Sequence, residues 1–115
     1  MESREKTLRA YIDKSGRIPF ALWLRSLRDD RAKQKVQVRL ARVRLGNFGA
    51  IKSVGEGVSE LIIDYGPGHR VYLGQDGDEI VILWVGGDKT TQVMDIKKAK
   101  DYWHDYKEQN ESGDY

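Results

Sequence analysis

The chain reads as an α+β domain, with the order β-α-α-β-β-β-α, in which helices pack on a four-stranded, mostly antiparallel sheet. Three observations predict this. Apolar residues recur at helical spacing over 18–27, 31–46 and 90–110, and alternate or cluster as strands over 7–12, 58–65, 69–75 and 79–85. The last three strand segments are joined only by Gly66-Pro67-Gly68 and by Asp76-Gly77-Asp78, connections short enough for hairpins. The segment Ile80–Val85 is apolar on both parities, as a central strand covered on both faces should be.

Each element has its own justification. In "TLRAYI", Leu8, Ala10 and Ile12 alternate with Thr7, Arg9 and Tyr11, and "DKSGR" then breaks the pattern. Pro19 suits a first helical turn, and Phe20, Trp23, Leu24 and Leu27 share a face behind it. Asp29 or Asp30 offers an N-cap to the second helix, and Gly46 a C-cap. Ala32, Val36, Leu40 and Val43 form its apolar stripe. "NFGAIKSVGEG" reads as a glycine-rich connector. Asp76-Gly77 is a type I′ turn signal. Thr90 or Thr91, or Asp88 before them, caps the last helix, where Val93, Ile96, Ala99, Trp103 and Tyr106 share a face.

Length and composition bound the answer further. With 115 residues the chain is one domain, with an ordered core over about 7–106 and fraying expected over 111–115. It has no cysteine, so neither a disulfide nor thiolate metal chemistry applies. The segment "MESREKTLRAYI" is too polar for a signal peptide or a membrane span, which points to a cytoplasmic protein. The net charge of +2 hides an asymmetry. Residues 1–52 hold 14 Lys/Arg against 5 Asp/Glu, and residues 53–115 hold 6 against 13. Six cations and no acid lie between Arg31 and Leu45, where Lys35, Arg39 and Arg42 form one stripe. A solvated face would usually mix signs, so the stripe is read either as such a face or as a surface for nucleic acid or an acidic protein.

Chemistry concentrates in "GPGHRVYLGQDGDEIVILWVGGDK". "GGDKTT" is not a phosphate loop, because Asp88 precedes Lys89 where Gly is required. Two histidines and no ligand spacing exclude a recognisable metal site. Arg70, Tyr72 and Gly74 should point to one side of their strand, and His69, Val71 and Leu73 to the other. Arg70 is then either a cross-strand ion-pair partner of Glu60 or Asp64, or a bidentate phosphate ligand. Lys89 follows the neighbouring strand and should arrive near His69 and Arg70. RNA cleavage without a metal needs a base, an acid and cations on the phosphate. Arg70, Lys89, Lys52, His69 and nearby tyrosines are the available parts.

Taken together, "IPFALWLRSLRD", "RLARVRLGNFG", "GVSELIIDYGPGHRVYL" and "ILWVGGDKTTQ" with the following Asp95-Ile96 and Ala99 resemble phage-derived addiction-module killer proteins. These form a HigB-like branch of the RelE/ParE toxin superfamily, and the resemblance spans about Thr7 to Tyr106. It implies a RelE-like fold and a toxin of a type II toxin–antitoxin system. The activity implied is ribosome-dependent, metal-independent mRNA cleavage that inhibits translation, with no cofactor. ParE-type members of the superfamily poison DNA gyrase instead, and a non-catalytic basic binding module or decayed toxin is the third reading. The partners implied are the ribosome, mRNA and a cognate helix-turn-helix antitoxin of HigA type in a hetero-oligomer, with no membrane. Arg70 matches the strand arginine of the RelE-type pattern and Lys89 its cation after the following strand, with His69 as a candidate acid or base. Lys35, Arg39, Arg42 and Lys52 are the expected RNA-binding cations. Ile62 stands where related sequences often carry Arg, Met94 where some carry Tyr, and His69 where the branch often has Tyr.

Overall fold

A computed structural model describes residues 5–64, 68–87 and 89–112, with side chains up to 109. The chain forms β1 (Thr7–Ala10), α1 (Pro19–Ser26), α2 (Asp30–Arg44), β2 (Ile51–Gly55), β3 (Val58–Ile63), β4 (His69–Asp76), β5 (Glu79–Gly86), a 3-10 turn (Lys89–Thr91) and α3 (Gln92–Ser112). The fold is α+β, but the sheet has five strands rather than four. It is open and mixed, in the order β1-β5-β4-β3-β2, with β1 parallel to β5 and the other pairs antiparallel.

The strand missing from the sequence reading is β2, inside the supposed connector. Ile51 and Val54 are its only well-packed residues, and Gly49, Gly55 and Gly57 interrupt any pattern. The turn to β3 is Glu56-Gly57, with φ of 56° and 83°, the two positive values of a type I′ turn. Glutamate is an uncommon residue there, so the turn carries no sequence signal. The second hairpin is also displaced. Asp76 pairs with Glu79, so the loop is Gly77-Asp78, with positive φ at Gly77 alone. That is the pattern of a type II′ turn, which wants Gly first, rather than type I′. The loop read at 66–68 lies mostly outside the described residues, as do the cap candidate Asp88 and the last three of the residues expected to fray.

Local chemistry sets α2. Asp29 accepts from the backbone N–H groups of Arg31 and Ala32. At the other end, Gly46 N–H reaches Val43 C=O (2.9 Å) and Asn47 N–H reaches Arg42 C=O (2.8 Å), with Gly46 at φ 89°. This is a Schellman cap, which needs a left-handed residue at that position. Gly46→Ala is therefore expected to cost about 1 kcal/mol, read as a lower urea midpoint at unchanged slope.

The sheet carries two cores. On one face Val36, Leu40 and Val43 of α2, with Phe20 and Trp23 of α1, cover Leu61, Ile63, Val71, Leu73, Ile80 and Ile82. On the other, Ala99 and Trp103 of α3 cover Val58, Tyr72, Val81 and Leu83. A bulge explains the end of β5. Tyr72 pairs with Trp84 but Leu73 with Ile82, leaving Leu83 as the extra residue. Parity flips there, so Leu83 and Trp84 both face α3 and Val85 returns to the α1/α2 side. Val93 departs from expectation and is 82% exposed, because the first turn of α3 presents Asp95 to the sheet instead.

At the tip of the β2–β3 hairpin, Glu56 Oε1 lies 3.1 Å from His104 Nε2, and Glu56 Oε2 lies 3.2 Å from Lys100 Nζ. The His104 hydrogen bond, then that of Lys100, holds the Glu56 carboxyl below its ordinary value of 4.5. A carboxyl depressed in the folded state stabilises it fully above the ordinary value and loses that effect as pH falls through the native one. The melting temperature of Glu56→Gln should therefore approach that of the wild type as pH falls below the ordinary carboxyl range. A gap between them that does not change with pH would refute this tie.

Candidate functional site

The site is built where the sheet ends beneath the start of α3. Pairing aligns Ile62, Arg70 and Gly86 across β3, β4 and β5, and Lys52, Glu60, Tyr72 and Trp84 in the next rung. All of these face α3, since cross-strand partners share a face. Glu60 lies at the centre, 2% exposed. Its Oε2 accepts from the Tyr72 hydroxyl (3.0 Å) and from Gln92 Nε2 (2.9 Å), and its Oε1 faces Arg70 Nε at 3.5 Å. Arg70 Nη1 also donates to Gly87 C=O at 3.2 Å. The ion pair with Glu60 was one of the two sequence readings of Arg70, and it is present.

The glycine that ends β5 has a physical reason. A Cβ on Gly86 would lie 2.6 Å from Asp95 Oδ2 and 2.9 Å from Tyr72 Cε2. Glycine lets the α3 carboxylate descend onto the strand, where it accepts from Gly87 N–H (3.3 Å), Thr91 Oγ1–H (2.7 Å) and Trp84 Nε1–H (3.3 Å). Asp95 thus fixes the turn that carries Lys89. Lys89 is exposed at the start of the 3-10 turn, two residues past the carbonyl that Arg70 holds.

The candidate residues divide between surfaces. His69 shares Arg70's end of the strand but, as alternation predicts, faces the α1 side, edge-on to Trp23 with ring centroids 5.4 Å apart. Strand alternation places it across the sheet from Arg70. The four expected RNA-binding cations also divide. Lys35, Arg39 and Arg42 line one cleft of about 310 Å³ with Val38, Ala50, Ile62, Ile63 and Asp64. Lys52 is exposed opposite Glu60, on the α3 face. Within the cleft, Arg39 is partly a brace. Its Nη2 donates to the carbonyls of Phe48 and Ala50, under Gly49. Burial, then the charge of Arg42, lowers its pKa below the ordinary arginine value.

On the α3 face Arg70 and Lys52 therefore flank Glu60, and Lys89 follows the end of β5. Burial, reinforced by the Glu60 charge, pushes the Tyr72 hydroxyl well above its ordinary value, so it is a donor and not a base. Sequence reasoning missed Tyr72's partner role, Gln92 and Asp95. A signal for the cluster existed: Glu60 shares its parity with Val58 and Ile62, an acid alone on an apolar stripe. Among the described residues no His/Cys/Asp/Glu group is arranged to hold a metal ion, and no helix is long and apolar enough to cross a membrane.

These features define an α+β domain with a buried carboxylate paired to a part-buried guanidinium at the end of a mixed five-stranded sheet. Over 83 residues, 72% of this chain and 84% of the relative, the chain is 52% identical to an uncharacterized protein of Haemophilus influenzae. It belongs to the same family as that protein. No family model matches the chain, and no solved structure matches it.

Proposed function

We propose that this protein is the toxin of a type II toxin–antitoxin system, of the HigB-like branch of the RelE/ParE superfamily. In this reading it adopts a RelE-like fold in the cytoplasm and cleaves mRNA on the ribosome. What carries the reading is the convergence of Arg70 and the Lys89 turn at one end of the sheet, joined by the Arg70–Gly87 hydrogen bond. Two cations there would stabilise the charge that develops on a scissile phosphate. The cleft of Lys35, Arg39 and Arg42 would hold ribosomal RNA by its backbone. The ribosome would orient the substrate, so a sparse site is sufficient. A helix-turn-helix antitoxin of HigA type would silence the toxin in a hetero-oligomer.

A second reading is a ParE-type gyrase poison or a non-catalytic basic module. The observation favouring it is that Glu60 engages Arg70 while His69, the expected acid or base, lies on the opposite face from the guanidinium. Induced expression in bacteria separates the readings. Wild type should arrest translation, with mRNA cut at A-site codons. Arg70→Lys keeps the charge but loses the planar fork, and should cleave about 10²–10³-fold more slowly. DNA damage signalling with translation intact would replace the first reading with the gyrase one, and harmless expression would leave the binding module.

A further inference from the structure

We infer that Glu60 is the positioning residue of this site: its buried carboxylate, fastened by Tyr72 and Gln92, holds the Arg70 guanidinium where it meets a phosphate anion. The inference rests on reading Arg70 as a phosphate ligand, as above. A carboxylate 2% exposed is costly to bury unless its lone pairs are used. Here one oxygen takes two neutral donors, at 3.0 and 2.9 Å, and the other faces the arginine. The raised pKa of Tyr72 keeps its proton on oxygen, so that donor stays in place. Gln92 is the first residue of α3, so the seating of the helix on the sheet fixes the carboxylate, and the carboxylate fixes the arginine.

The Arg70 end of the pair is incompletely closed. At 3.5 Å, Nε is within ion-pair range of Glu60 but makes no hydrogen bond, and among the described residues it is the one buried side-chain polar atom without such a partner. Gly87 C=O restrains the same guanidinium from the β5 side. The charge of Glu60 and the Gly87 carbonyl together set its orientation. An anion on the outer edge of the fork is met by a guanidinium already aimed, and the long arginine side chain has little freedom left to lose. Glu60 acts through Arg70 and does not itself touch the phosphate.

The test uses the full chain, 15N-labelled, with inorganic phosphate as the probe and the Arg70 Nε–H resonance as the readout. In wild type the resonance should shift as phosphate is added. Glu60→Gln keeps shape and loses charge, and should weaken the response about tenfold; Glu60→Asp should recover part of it. A merely structural role would leave the phosphate response of a folded Glu60→Gln unchanged, which overturns the proposal. Tighter phosphate binding in Glu60→Gln also overturns it, because Glu60 would then compete for the guanidinium. If Glu60→Gln does not fold, Gln92→Ala decides, since it loosens the carboxylate and keeps both charges. A weakened response there supports the inference, and an unchanged one overturns it. A wild-type phosphate response without translation arrest would remove the toxin reading and leave the role of Glu60 standing. No wild-type response would remove the Arg70 phosphate site and this inference with it.

Discussion

Trp103→Ala should destabilise the protein by about 3–5 kcal/mol, against a total of about 5–15 kcal/mol for a native domain. Trp103 is 2% exposed and stands between α3 and the sheet. Its ring lies directly on Gly74, where a Cβ would come within 2.2 Å of it, and its indole nitrogen lies over Gly57. Tyr106 stacks on it at 5.4 Å. Removing the ring opens a cavity that glycine backbone cannot refill. The converse change tests the same contact. Gly74→Ala should cost about 1–3 kcal/mol in the wild type by overpacking, and should be far milder in the Trp103→Ala background. Urea unfolding followed by circular dichroism reads both. Equal costs of Gly74→Ala in the two backgrounds would show that the contact is not formed.

Arg70→Ala should lose about 3–5 kcal/mol, because it strands the Glu60 carboxylate in the sheet–α3 interface without its cation. This changes how Arg70 must be tested for function, since loss of toxicity in Arg70→Ala alone would confound the site with folding. Adding Glu60→Gln should recover most of the stability while leaving the site without its arginine. If the proposed toxin function holds, the double variant should then be folded and non-toxic. Failure of Glu60→Gln to restore any stability would mean that the pair is not what Arg70→Ala breaks.

Local patterns made much of this fold legible. Val36, Leu40 and Val43 on α2, capped by Asp29 and Gly46, are all local in sequence, and each lies where its spacing put it. The burial of β5 was readable from its double parity. By contrast, β2 was hidden because its stability comes from pairing with β3 and not from its own residues. The same distinction governs the site. Arg70 and its partner Glu60 were readable, since a charge inside an apolar strand needs explanation. Alternation already set His69 on the opposite face from Arg70, and its ring lies there, edge-on to Trp23, so its candidacy as acid or base came from residue type and not from placement. Gln92 and Asp95 act from a helix that reaches the sheet only in three dimensions, and nothing in "TTQVMD" announces it.

The sheet order has a consequence for how the chain comes off the ribosome. β1 precedes the other described strands, yet among them it pairs with β5 alone, and Thr7 pairs with Glu79. Strands β2 to β5 can zip as successive hairpins, each finding its partner a few residues away. β1 must wait for some seventy residues of intervening chain, and closing so long a loop is the slow step in such topologies. Until Glu79–Ile82 emerge, the chain has an unpaired leading strand and no completed sheet. The finished domain, and with it the Arg70 site, therefore arises only once β5 has been made.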